Sequence, residues 1–150
     1  MKTSDYRYVT VIAASPEQVW KGLTTAEFTR QYWHSTHVRS DWQKGSKVEF
    51  LVENDVVACE GVILEVNPPS RLSYTWRFPL NPATCSEPDS RVLFLLEPVA
   101  GGTLLTVIHD HFPDDSVMYE HVSAGWPLVI CGLKTLLETG KAVDFTAQAA

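Results

Sequence analysis

The chain has 150 residues, the length of one ordinary domain and too short for two. A hydrophobic share of 45% with 20% charged residues excludes a disordered or low-complexity protein. Twelve basic against 18 acidic side chains give a formal charge of −6, and the Lys and Arg residues are scattered; nucleic acid and anionic membrane are therefore excluded as partners.

No stretch approaches the roughly 18–20 consecutive apolar residues of a membrane span. The opening residues turn polar within three positions of Met1 and lack a secretory apolar region. Cys59, Cys85 and Cys131 are odd in number and lack CxxC spacing, so they read as reduced thiols. The expectation is a cytoplasmic, single-domain protein spanning 1–150.

The first element is a strand over Tyr6–Ala13, with β-branched and aromatic residues in near alternation. Ser15 then stands as N-cap, Pro16 at the first helical position, and Gln18 at the capping-box spacing, opening a short helix with Val19, Trp20 and Leu23 on its apolar side. Thr24 or Thr25 caps a second short helix through Glu27, Phe28 and Tyr32. From about residue 36 the period changes from 3.6 to 2. Strands are predicted over Lys47–Glu53, Val56–Val66, Arg71–Phe78, Arg91–Glu97 and Thr103–His111, about six in all after the helices. Asn54-Asp55 and Gly101-Gly102 supply tight turns, Gly61 is read as a bulge, and 79–90 is a long Pro-rich loop.

Helical spacing returns over 115–139, where Trp126, Val129, Ile130, Leu133, Leu136 and Leu137 form one broad apolar stripe. Gly140 ends it, and the tail of about 140–150 reads as frayed. The order predicts an α+β fold, a curved antiparallel sheet wrapped around one long helix. One helix cannot fill such a concave sheet, so a cavity is expected between them.

Three segments carry a family resemblance. They are Ala14-Ser15-Pro16-Glu17 with Val19-Trp20, Pro68-Pro69-x-Arg71-Leu72-x-Tyr74-Thr75-Trp76, and Gly125-Trp126-Pro127 followed by Leu133-Lys134 and Leu137-Glu138. Together they resemble the activator of heat-shock protein 90 ATPase homologue-like branch of the SRPBCC (START and birch-pollen-allergen type) superfamily. The resemblance implies a helix-grip fold with a hydrophobic tunnel, and binding of lipids, sterols, polyketides or other apolar molecules. Some relatives are cyclases or hydrolases. The branch's chaperone-contacting activity depends heavily on a separate domain, so a chaperone contact is not carried over with the fold.

Among chemically capable residues, His109 and His111 share a strand face and His121 starts the long helix, a set that invites Zn²⁺ with Asp110 or Asp114. Asp110 points to the opposite face, however, and no CxxC or HExxH spacing supports a metal, so none is expected. His34 and His37 read as surface residues in a polar turn. Glu60 faces inward only if Val62, Leu64 and Val66 do, and a carboxylate buried there would have a raised pKa suited to acid–base work. Ser73 and Ser123 lack a GxSxG elbow or triad context, Cys131 reads as a buried inert thiol, and no phosphate loop appears; no cofactor is expected.

The aromatic residues carry the main functional expectation. Phe50, Tyr74, Trp76, Phe94, Trp126 and Ile130 are candidates to line a ligand cavity, with Tyr74 and His109 as polar groups that orient the ligand, and the 79–90 loop as its gate. The expected function is non-covalent binding of a small apolar or aromatic molecule. Two other readings stay open: an acid–base enzyme using Glu60 or His109 in the same cavity, and a chaperone-interaction module. An exposed edge strand leaves room for a homodimer.

Overall fold

The computed structural model describes residues 4–143. Strand β1 (Tyr6–Ile12) leads into helix α1 (Pro16–Thr24) through the expected capping box: Ser15 Oγ accepts the Gln18 N–H at 3.2 Å, and Gln18 Oε1 accepts the Ser15 N–H at 2.9 Å. Helix α2 (Ala26–Tyr32) follows at once. Thr25 holds its N-cap position, but its hydroxyl donates back to the Lys21 carbonyl at 2.8 Å, satisfying the end of α1 instead.

Strands β2 (His37–Ser40), β3 (Lys47–Val52), β4 (Val56–Asn67) and β5 (Arg71–Trp76) come next. Strand β2, four residues long, adds an edge strand where the sequence reads a polar turn. Asn54 and Asp55 take positive φ of 65° and 56°, as a tight hairpin connection requires. After the short helix α3 (Pro82–Cys85), strands β6 (Ser90–Val99) and β7 (Gly102–Asp110) lead to helix α4 (Val117–Thr139). Ser116 Oγ accepts the Tyr119 N–H at 3.0 Å at its start, and Gly140, at φ 78°, ends it in the left-handed conformation. The remaining tail, 144–150, lies outside the described residues.

Among the described residues the strands form one seven-stranded sheet in the order β1-β7-β6-β5-β4-β3-β2, every pair antiparallel. The sheet curves around α4, giving the α+β helix-grip arrangement. Two register shifts bend it: β4 gains Ala58 against the Phe50–Leu51 step of β3, and Leu64 against the Tyr74–Ser73 step of β5. Gly61 is not a bulge, since Glu60↔Arg77 and Ile63↔Tyr74 keep one register on either side of it. Its hydrogen side chain instead admits the Thr75 carbonyl, whose oxygen would lie 1.8 Å from a Cβ.

The α4 stripe meets the inner face through Val122, Trp126, Val129, Ile130, Leu133 and Leu136, all buried. Polar bonds tie its far end to β1: Lys134 Nζ donates to the Val11 carbonyl at 2.6 Å and to Glu138 Oε2 at 2.7 Å, and Glu138 Oε2 accepts the Ala13 N–H at 2.8 Å. These bonds hold the Glu138 carboxyl below its ordinary range, with the Lys134 hydrogen bond the main cause.

Candidate functional site

The concave sheet and α4 do not meet everywhere. Near the first half of α4 they enclose a cavity of about 420 Å³. Alternation along β3 and β5 aims Phe50 and Trp76 at it, and the helical stripe adds Trp126. Trp33, the residue that closes α2, completes the aromatic wall. The four rings touch one another: Trp33 lies 4.5 Å from Phe50, 6.2 Å from Trp76 and 5.6 Å from Trp126, and Trp76 lies 5.2 Å from Trp126. Ala58 and Cys59 both line the space, although consecutive strand residues ordinarily point to opposite faces; the inserted Ala58 re-aims the pair. Gly125 adds room on the helix side, where a Cβ would have nothing within 4 Å.

At the rim stand His34, His121, Ala124 and Leu128, all exposed. Among the described residues that line the cavity, none is Asp, Glu, Lys or Arg. Burial pushes the Cys59 thiol well up, so it stays protonated and inert.

Of the residues anticipated from the sequence, Phe50, Trp76 and Trp126 line the cavity, while Tyr74, Phe94, Ile130 and His109 do not. Tyr74, Phe94 and Ile130 lie deeper, where the concavity is filled by the protein's own rings, with Tyr74–Phe94 at 5.9 Å and Phe94–Trp126 at 5.7 Å. Tyr74 is not an orienting group: its hydroxyl is sealed from solvent with no hydrogen-bond partner among the described residues, and burial holds its pKa well above the ordinary tyrosine value. The Trp76 Nε1–H is sealed and unpartnered in the same way.

His109 is fully buried and serves the wall from behind. Trp126 Nε1–H donates to its Nδ1 at 3.1 Å, and its Nε2 lies 2.7 Å from Ser90 Oγ. An N–H donor facing Nδ1 requires a lone pair there, so the proton sits on Nε2 and is given to Ser90. The pair thus has the wrong tautomer for a nucleophile and its base. Burial also lowers the His109 pKa to about 3, so the ring stays neutral.

The other expected histidine roles change for a backbone reason. Strand β7 ends at Asp110, and His111 takes a left-handed φ of 65° and is exposed, so it does not share the His109 face. Asp110 forms a bidentate pair with Arg91 at 2.9 and 2.7 Å. His37, on β2, pairs with Asp55 at 3.3 Å. Among the described residues no three His, Cys, Asp or Glu side chains are grouped to hold a metal ion.

Glu60 does not reach the cavity. Val62 and Leu64, 41% and 38% exposed, turn outward, and Glu60, two positions before Val62, shares their face while Ile63 is buried. Its carboxylate lies 3.9 Å from Arg77 Nε on the outer side. The 79–90 loop supplies none of the lining residues, and Glu87 ties it to the start of α4, accepting from Ser116 Oγ and the Val117 N–H at 2.7 Å each. Cys131, expected to be buried, is exposed.

The lining residues that sequence reasoning missed include Trp33, Cys59, Phe78, His34 and His121. Trp33 follows the helical period of α2 immediately, an apolar residue at a helix end, which is the one signal that marks it.

Fold and site together define a helix-grip protein with an aromatic-walled cavity between its sheet and its C-terminal helix. The chain belongs to the family described as activator of Hsp90 ATPase homolog 1-like protein, whose model matches residues 13–138. Similar solved structures include the Aha1 dimer from Colwellia psychrerythraea, 19% identical, covering 93% of this chain and 100% of that one with a TM-score of 0.75. Protein MLL2253 from Mesorhizobium loti is 26% identical, covering 89% of this chain and 96% of that one, with a TM-score of 0.75. An HSP90 activator from Plasmodium falciparum is 17% identical, covering 90% and 96%, with a TM-score of 0.73. No curated protein matches the sequence. Among the described residues no helix is long and apolar enough to cross a membrane.

Proposed function

We propose that this protein binds a small apolar molecule non-covalently in the cavity between β3–β5 and α4. The observation that carries this reading is a space of about 420 Å³ walled by Trp33, Phe50, Trp76 and Trp126 and free of charged lining residues among those described. That size and composition match ligand sites in general. Each Å² of apolar ligand surface removed from water contributes roughly 25 cal/mol before the costs of association. The reduced thiols suit a cytoplasmic location.

The acid–base alternative has little to stand on, because Glu60 and His109 both lie outside the cavity. Contact with an Hsp90-type chaperone is the second reading. It is supported by the family description and by the fold shared with the Plasmodium falciparum HSP90 activator. Self-association through an edge strand, β1 or β2, accords with the dimer of the Colwellia psychrerythraea protein.

Native mass spectrometry of the purified protein, followed by denaturing extraction and by titration with the neutral polarity-sensitive dye 1-aminoanthracene, tests the proposal. A co-purifying small molecule, or saturable dye binding abolished by Ala124→Phe at the rim, is the expected result. A clean apo mass without dye binding overturns it, and retention of an Hsp90 on the immobilised protein would then favour the chaperone reading.

A further inference from the structure

The rim of the cavity differs in chemistry from its floor. Among the lining residues four are exposed, and two of these, Ala124 and Leu128, offer no polar side-chain atom. The other two are His34, in the connection between α2 and β2, and His121, in the second turn of α4. Thr36 also lines the cavity, but it is buried and its hydroxyl already donates to the Trp33 carbonyl at 2.6 Å. The polar side chains available where a ligand would meet water are therefore two imidazoles from opposite elements of the wall.

An imidazole can present an N–H donor in either protonation state and two donors when protonated. No carboxylate among the described lining residues competes for those donors, and Asp55, on the hairpin between β3 and β4, is already held by His37. An anionic head group at the rim would accept charge-assisted or neutral hydrogen bonds there without repulsion from the lining. A cationic ligand meets no carboxylate among the described lining residues.

We infer that the ligand is an amphipathic carboxylic acid, its aromatic or branched apolar body against Trp33, Phe50, Trp76 and Trp126 and its carboxylate between His34 and His121. This rests on the proposed binding function and adds the chemical class of the molecule. Neutral molecules of the same shape bind more weakly because they lack the charge that strengthens those hydrogen bonds.

Three probes of one skeleton test it: 2-naphthylacetic acid, 2-naphthylacetamide and 2-(2-naphthyl)ethylamine, each displacing 1-aminoanthracene at pH 6. The comparison is repeated in a double variant, His34→Gly and His121→Ala, in which neither new residue carries a side-chain donor. Gly accepts the φ of 50° at position 34, and Ala suits the helix at 121. The acid is expected to bind at least tenfold more tightly than the amide and the amine. In the double variant that advantage disappears while the amide still binds, which also shows that the cavity is intact. Equal binding of acid and amide, or tightest binding of the amine, overturns the carboxylate assignment and leaves the cavity function standing. An advantage that survives in the double variant overturns the role of the two imidazoles. Failure of the dye and all three probes to bind overturns both the assignment and the function on which it rests.

Discussion

The indole N–H of Trp126 donates to Nδ1 of His109 across 3.1 Å, joining the wall of the cavity to the end of β7. One strand histidine thereby sets the rotamer of the aromatic residue that heads the helix stripe, and Ser90 fixes the histidine in turn at 2.7 Å. The wall is held by a chain of three polar side chains placed behind it, none of which touches the cavity except through the Trp126 ring.

His109 makes stability sensitive to acid. Its pKa is about 3 in the fold, against about 6.5 for an ordinary histidine in the unfolded chain. Between those values the unfolded state binds the extra proton, so its contribution is complete above pH 6.5 and is lost as pH falls towards 3. The slope for one group is about 1 kcal/mol per pH unit. Urea midpoints measured from pH 7 down to 4.5 should fall. His109→Gln, which can still accept from Trp126 and donate to Ser90, should cost about 1–2 kcal/mol at pH 7 and flatten that fall. An unchanged slope in the variant would show that other groups cause the acid sensitivity.

Tyr74→Phe removes a buried hydroxyl that has no partner among the described residues. Nothing is lost except a desolvated polar group, so the variant should be as stable as the parent or more stable by up to about 1 kcal/mol. Tyr32→Phe is the control: that hydroxyl donates to the Gly22 carbonyl at 2.5 Å, and its loss should destabilise by about 1–3 kcal/mol. Equilibrium unfolding in urea reads both. A loss of more than about 1 kcal/mol in Tyr74→Phe would mean that its hydroxyl is satisfied by water in solution.

Two glycines should respond in opposite directions to alanine. At Gly61 a Cβ would lie 1.8 Å from the Thr75 backbone oxygen, so β4 and β5 must separate, and a loss above about 3 kcal/mol or failure to fold is expected. At Gly125, inside α4, a Cβ meets nothing within 4 Å, and the helix should gain about 1 kcal/mol. Thermal melts of the two variants decide it; similar shifts in both would contradict the close β4–β5 approach.

Much of the fold is legible in the residues themselves. Ser15-Pro16-Glu17-Gln18 specifies a helix start because capping needs only atoms three positions apart, and Asn54-Asp55 specifies a turn because few residues accept positive φ. The 115–139 stripe and the strand alternation are local periodicities, and their order predicts a curved sheet around one helix. Helix-grip architecture, family membership and three of the cavity residues (Phe50, Trp76 and Trp126) were accessible at that level.

What local pattern does not carry is the phase of each element against its neighbours. Period-2 counting on β4 leaves two faces equivalent, and only pairing with β3 and β5 puts Ile63 inside and Glu60 outside. The extra Ala58, which joins Cys59 at the cavity, is an event between two strands, invisible in either alone. His109 looks like a functional imidazole in sequence; a Trp 17 positions away fixes its tautomer, and burial keeps it neutral. Likewise the depth at which Tyr74 and Phe94 fill the concavity, leaving space near Trp33 and Trp126, depends on packing among side chains distant in the chain. Side-chain period is a property of one segment, whereas register, burial and proton position are properties of the contacts between segments, and those arise only when the chain is folded.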